Sequence, residues 1–108
     1  MAALVAQQVD ADGLKPVFAA ATALGDTMPC DGHTALFVVN GSGAGRTITI
    51  ASQAVARPGL VVDDLEVVIP AGESWLILPD PVGFANENGQ AEITYSAVAT
   101  TTVAAVRI

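Results

Sequence analysis

The sequence predicts an all-β protein: a two-sheet antiparallel β-sandwich, jelly-roll-like, with seven or eight strands. Short apolar or alternating segments recur along the chain, separated by Gly, Pro, Asn and Asp, which is the pattern of a sandwich or barrel. The clearest segments are residues 34–40, 47–52, 65–69, 74–78, 91–96 and 102–108. With 108 residues, 52% of them hydrophobic, the chain is sized for one core.

The first fifteen residues are less regular than the rest. Leu4 to Val9 could form a strand, and a turn follows at residues 10–13. Residues 1–15 are therefore either an N-terminal arm that becomes ordered on contact or the first strand of the sandwich. Residues 16–108 are predicted to form a single β-sandwich domain. Within them, 17–21 are expected to be extended, and 24–32 are expected to be a loop because Gly and Pro interrupt them.

The middle of the chain gives the sharpest strand signals. The continuous apolar run 35–39 predicts a central strand that is covered on both faces. Glycines at 41, 43 and 45 then predict a hairpin connection, since they lack the spacing and the following helix of a phosphate loop. Alternation in 47–50 places Ile48 and Ile50 inward. A turn is expected at Pro58-Gly59, and the final strand is expected to be a sheet edge.

The charge of the chain is strongly acidic. Eleven acidic residues face four basic ones, for a net charge of −7, which argues against binding to nucleic acid or to an anionic membrane. Only 14% of the residues are charged, which is low for a free soluble monomer and predicts that another molecule covers part of the surface. We find no signal-peptide pattern and no apolar run of about 20 residues, so synthesis in a cytoplasm is expected.

Reactive side chains are scarce. Cys30 has no nearby Lys, Arg or Cys to lower its pKa and is predicted to be a structural or incidental thiol. His33 has no second His or Cys cluster to complete a metal site, and Asp63-Asp64-x-Glu66 lacks the spacing of a calcium loop. We therefore predict no catalytic residue, no cofactor and no metal. A binding or building module is expected, not an enzyme.

One ordered set of motifs resembles a known group of proteins. Residues 31–41, DGHTALFVVNG, resemble the DGRTFLxVxNG stretch of small tailed-phage head proteins. TITIA, VIPAGE, LPDP, EITYS and the closing VAAVRI follow in the same order as in that group. The resemblance covers about residues 12–108. Two departures are His33, where Arg or Lys is expected, and LPDP, which replaces a GPFP-like loop.

The resemblance implies a capsid decoration or minor head protein that binds the outside of an icosahedral shell. It implies the major capsid protein as partner, a homo-oligomer with a trimer favoured, a place on the virion exterior, and no catalytic residues. The candidate contact residues lie in the N-terminal segment and near the LPDP loop. They are Leu4, Val5, Gln7, Gln8, Val9, Pro81 and Phe84.

Two alternatives remain open. A head–tail connector or tail-associated virion protein would share the expected fold and differ in copy number. A small carbohydrate-binding sandwich would need exposed aromatic rings, for which Trp75, Phe84 and Tyr95 are the candidates. Alternation places Tyr95 on the core side, and the apolar strand around Trp75 favours a core position for that ring as well.

Overall fold

A computed structural model describes residues 2–53, 55–57, 60–61 and 63–108, with only the backbone described for 55–57 and 60–61. The described residues form twelve strands and one short helix. In chain order they are β1 (Ala2–Ala3), β2 (Ala6–Gln8), β3 (Ala19–Ala20), β4 (Asp26–Pro29), β5 (Thr34–Asn40), β6 (Arg46–Ile50), β7 (Val55–Arg57), β8 (Leu60–Val61), β9 (Leu65–Ile69), β10 (Ser74–Ile77), α1 (Pro81–Phe84), β11 (Gln90–Tyr95) and β12 (Thr101–Arg107).

Two five-stranded sheets pack against each other. The first sheet has the order β1-β4-β11-β6-β9. The second has the order β10-β5-β12, with β2 and β3 side by side along the far edge of β12. Their inner faces form one core, in which Ile48, Ile50 and Ile93 are fully buried, as the alternation predicts. The all-β two-sheet sandwich is therefore confirmed.

The N-terminal segment contributes a strand to each sheet. β1 pairs with β4 and β2 pairs with β12, both in parallel orientation. The chain crosses between the sheets at Leu4, whose N–H donates to the Thr27 carbonyl at 2.7 Å and whose side chain packs against the core. These two pairings make both sheets mixed, whereas the other pairings are antiparallel as expected.

The connection from β5 to β6 is an arch between the two sheets, so the predicted hairpin is wrong. β5 lies in the second sheet and β6 in the first. Buried Asn40 holds the arch: its Nδ2 donates to the carbonyls of Ala44 at 2.9 Å and Ile69 at 3.0 Å. Its Oδ1 accepts from the Ser42 hydroxyl at 2.6 Å. The Asn and Gly residues of this segment suit an arch as well as a hairpin.

Three further expectations need correction. Residues 24–32 are not all loop, since they contain β4, whose first residue Asp26 is buried because the Tyr95 hydroxyl donates to it. β12 is not an edge, because β2 and β3 cover the side away from β5. The twelve strands exceed the seven or eight expected, because two- and three-residue strands carry no readable alternation. The turn expected at Pro58-Gly59 lies outside the described residues.

Candidate docking surface

An apolar groove of about 310 Å³ runs along the outer face of the second sheet. Alternation in β5 explains its floor, because Leu36 and Val38 point into the core and Phe37 points outward. Leu76 of β10 lies opposite Phe37 and continues the apolar row. The lining residues are Val9, Leu14, Pro16, Phe37, Leu76, Val106 and Ile108.

The chain between β2 and β3 forms one wall of the apolar groove. The Gln7 side chain fixes this segment by two hydrogen bonds to the Val17 backbone, as a neighbouring strand would. It accepts from the Val17 N–H and donates to the Val17 carbonyl, both at 2.8 Å. The Phe18 ring packs edge-on against the Phe37 ring, with centroids 5.2 Å apart and planes at 78°. These contacts bring Leu14 and Pro16 over the outer face of the sheet.

A second groove, of about 420 Å³, lies beside β2 and β3. Its described lining includes Leu4, Val5 and Gln7, together with Val17 and the 103–105 segment of β12. The Val5 side chain is 81% exposed at the rim. Contiguous exposed apolar patches are typical of contact surfaces.

The structure brings five of the seven predicted contact residues to one side of the molecule. Leu4, Val5 and Gln7 line the second groove, and Val9 lines the apolar groove. Gln8 is exposed between them, and its Nε2 donates to the Val9 carbonyl at 3.0 Å.

The other two predicted contact residues lie apart from these grooves. Pro81 and Phe84 belong to α1, which packs against β11 of the first sheet. Phe84 is half-buried against the core, and Asp80 caps the helix by accepting from the Val82 N–H. They are therefore separate from the N-terminal candidates and from both grooves.

Strand β10 forms an apolar edge on the side opposite the N-terminal strands. Leu76 is 57% exposed, and Leu78 just beyond the strand is 55% exposed. Trp75 lies opposite Val38 and so on the core-facing side, as alternation implies. It is nevertheless 41% exposed, because β10 is an edge strand, and its Nε1 donates to Glu73 at 3.1 Å. The expected core position for this ring is wrong.

Cys30 and Asp31, just after the end of β4, have pKa values shifted by their surroundings. Burial raises the pKa of the Cys30 thiol, and the charges of Asp31 and Asp80 raise it further. The His33 backbone N–H donates to Asp31 at 2.8 Å and, with Arg107 at 3.7 Å, lowers the pKa of that carboxyl. The His33 side chain is exposed. A poorly ionised buried thiol is a weak nucleophile.

Tyr95 and Asp26 form a hydrogen-bonded pair beside the core, in which Asp26 is buried and Tyr95 is partly buried. The Tyr95 hydroxyl donates to Asp26 Oδ2 at 2.6 Å. Burial raises the pKa of Tyr95 far above its ordinary value, and the hydrogen bond to Asp26 and its charge add to the shift. The Tyr95 side chain packs against the core, which leaves less of its ring accessible for stacking on a sugar.

An acidic depression is lined by Asp63, Asp64 and Glu66. Asp64 accepts from the Ser52 N–H at 2.8 Å, so one of these carboxylates is engaged in holding a loop. Within residues 2–53 and 63–108, no three His, Cys, Asp or Glu side chains are arranged to hold a metal ion. The described part of the chain also lacks a helix with the length and apolarity needed to cross a membrane.

The sequence does not single out most of the apolar groove. Phe37 and Leu76 lie in runs that are apolar at every position, so the sequence does not show which side chains face outward. Leu14 and Pro16 become part of the surface only through the Gln7–Val17 contact. Comparisons with protein families, with curated proteins and with solved structures found no match to this chain.

Proposed function

We propose that this chain is a virion structural protein that binds the outer surface of an icosahedral phage capsid. It acts as a decoration or cement protein and stabilises the shell through contacts to the major capsid protein. The observation that carries the proposal is the ordered set of motifs, from DGHTALFVVNG to VAAVRI, that resembles small tailed-phage head proteins. The rest of the molecule supports a role in binding.

Exposed apolar side chains support a docking role. Val5, Leu76 and Leu78 are each more than half exposed, and two apolar grooves open nearby. An interface needs an apolar, weakly charged centre, and the 14% charged fraction leaves room for one. The groups with unusual pKa values are held in structural contacts, which supports a function without catalysis.

The proposal includes a symmetric assembly on the virion exterior. Capsid sites repeat by symmetry, so a homo-oligomer gains avidity from several weak contacts, and a trimer fits a threefold position. The net charge of −7 repels nucleic acid and suits a protein that stays outside the shell. Synthesis in the host cytoplasm precedes assembly.

Binding to empty shells tests the proposal directly. Where the genes beside this one encode a major capsid protein, shells assembled from that protein are incubated with the purified chain, sedimented, and analysed by gel densitometry. We expect saturable binding with on the order of hundreds of copies per shell, because icosahedral symmetry repeats the site. About a dozen copies would indicate a connector ring instead. A complete lack of binding, or a gene that sits among metabolic genes, would contradict the proposal.

The exposure of Trp75 is the one observation that favours the carbohydrate-binding alternative. A glycan array decides between capsid binding and carbohydrate binding. Sugar binding by the intact chain, lost in a folded Trp75→Ala variant, would establish the alternative. We expect no glycan to bind.

A further inference from the structure

One edge of β10 faces away from its neighbour β5, and no strand among the described residues pairs with it. The Asn40 N–H donates to the Glu73 carbonyl at 3.0 Å, which fixes the phase of the β5–β10 ladder. Hydrogen-bonded and non-bonded positions alternate in an antiparallel pair. Trp75 therefore bonds to β5, whereas the N–H and C=O groups of Ser74 and Leu76 face away from it.

Apolar side chains flank these backbone groups on both faces. Leu76 and Leu78 extend the outer face, and the half-exposed Trp75 ring lies on the inner one. Leu76 is also part of the apolar groove. A strand added along β10 would therefore place its outward side chains beside an existing apolar surface.

The neighbouring edge strand is built differently. β9 carries the exposed acid Glu66 on its outer face, and Asp63 and Asp64 precede it. Charged side chains on an edge discourage pairing with another strand. β10 (Ser74–Ile77) contains no charged residue. β9 and β10 are edge strands joined by one short turn, and of these two only β10 is suited to pairing with another strand.

Charge decides which kind of strand fits. The exposed acids Glu73 and Asp80 flank the apolar edge at its two ends. A second copy of this chain would bring the same flanking acids, so like charges would meet at both ends of a self-paired β10. A strand with Lys or Arg at its ends would instead find opposite charges at both ends of β10.

We propose that β10 binds an extended segment of a partner protein by strand addition. The segment alternates apolar side chains and carries Lys or Arg at its ends. Backbone hydrogen bonds to Ser74 and Leu76 provide affinity, and the apolar groove selects the outward side chains. The inference rests on the proposed function, because it takes the segment to belong to the major capsid protein.

Two lysine substitutions test the inference on the shells described above. Leu76→Lys places a charge on the proposed edge, and Val68→Lys places the same charge at a 59% exposed position on β9. We expect Leu76→Lys to weaken binding at least about tenfold and Val68→Lys to change it less than about threefold, as for positions inside and outside a contact centre. Leu76→Thr provides the same comparison if the lysine variant fails to fold.

Hydrogen exchange gives a second, direct reading. The amides of Ser74 and Leu76 should exchange more slowly when the chain is bound to shells, because they gain hydrogen-bond partners. If the intact chain binds but Leu76→Lys binds equally well and these amides stay unprotected, the inference is overturned and the proposed function stands.

The remaining outcomes concern the identity of the occupant. If the intact chain does not bind shells, both the proposed function and this assignment fail. A concentration-dependent dimer in sedimentation equilibrium, abolished by Leu76→Lys, would make a second copy the occupant and overturn the partner strand. We expect no such dimer.

Discussion

Removing the Tyr95 hydroxyl should lower the free energy of unfolding substantially, because that hydroxyl is the best hydrogen-bond donor to the buried Asp26 carboxyl. Asp26 is 1% exposed, and its Oδ1 has no hydrogen-bond partner. Its Oδ2 accepts from the Tyr95 hydroxyl at 2.6 Å and from the Thr22 N–H at a weaker 3.3 Å. In Tyr95→Phe the ring still fills its place, but a buried carboxyl loses its best donor.

A buried acceptor left without its partner costs about 1–3 kcal/mol. We therefore expect Tyr95→Phe to lower the free energy of unfolding by about 2 kcal/mol, which corresponds to a drop of about 8–15 °C in Tm for a domain of this size. Urea denaturation and differential scanning calorimetry at neutral pH measure both quantities. A loss below about 0.5 kcal/mol would refute the reasoning, since it would equal an ordinary surface substitution.

A double-mutant cycle separates the hydrogen bond from packing. In an Asp26→Leu background, Tyr95→Phe should cost less than about 0.5 kcal/mol, because no acceptor remains to be left unpaired. The pH dependence gives an independent check. Because the pKa of Tyr95 is raised on folding, stability is fully present below its ordinary value of 10.0 and falls as pH rises above it. Tyr95→Phe should lack this alkaline decline.

Three other predictions follow from the buried groups and the N-terminal half of the chain. Asn40→Ala should lower the free energy of unfolding by about 2–3 kcal/mol in urea denaturation, because it removes the amide that donates to the Ala44 and Ile69 carbonyls and accepts from the Ser42 hydroxyl, whereas the exposed Asn88→Ala should have almost no effect. Asp31→Asn should lower Tm at neutral pH, and the difference should vanish as pH falls below 3.8, because the pKa of Asp31 is depressed on folding. The Cys30 thiol should react with a disulfide reagent at least about a hundredfold more slowly in native buffer than in denaturant, since only opened molecules expose it. Equal rates in the two solvents would contradict its burial.

The strands that could be predicted are those whose side chains alternate or form long apolar runs. β5 and β9 begin and end at the predicted residues, and Ile48 and Ile50 face inward as alternation requires. β4 could not be predicted, because Asp26 and Pro29 look like loop residues until the Tyr95 hydroxyl is available as a donor. It forms by pairing with β11 and β1, and its Asp26 contacts a residue 69 positions away in sequence.

The candidate docking surface was harder to predict than the strands. A continuous apolar run has the same appearance whether its strand is central, like β5, or an edge, like β10. The difference lies in which neighbours the strand acquires, and strand order depends on the whole fold. The exposure of Trp75 and Leu76 could therefore not be predicted from the sequence. Val5 and Val9 could be chosen as candidate contact residues because their segment is irregular.

The parallel pairing of β2 with β12 has a consequence for the order of events during synthesis. Ala6 pairs with Ala105, a separation of 99 residues, so β2 has no sheet to join until nearly all of the described chain has been made. At about 5–20 residues per second, the ribosome takes roughly 5–20 s to cover that distance. During this interval β2 remains without its partner strand, and chaperones or neighbouring nascent chains can reach it. Because cooling weakens hydrophobic association between such chains, the yield of folded protein should rise at low temperature.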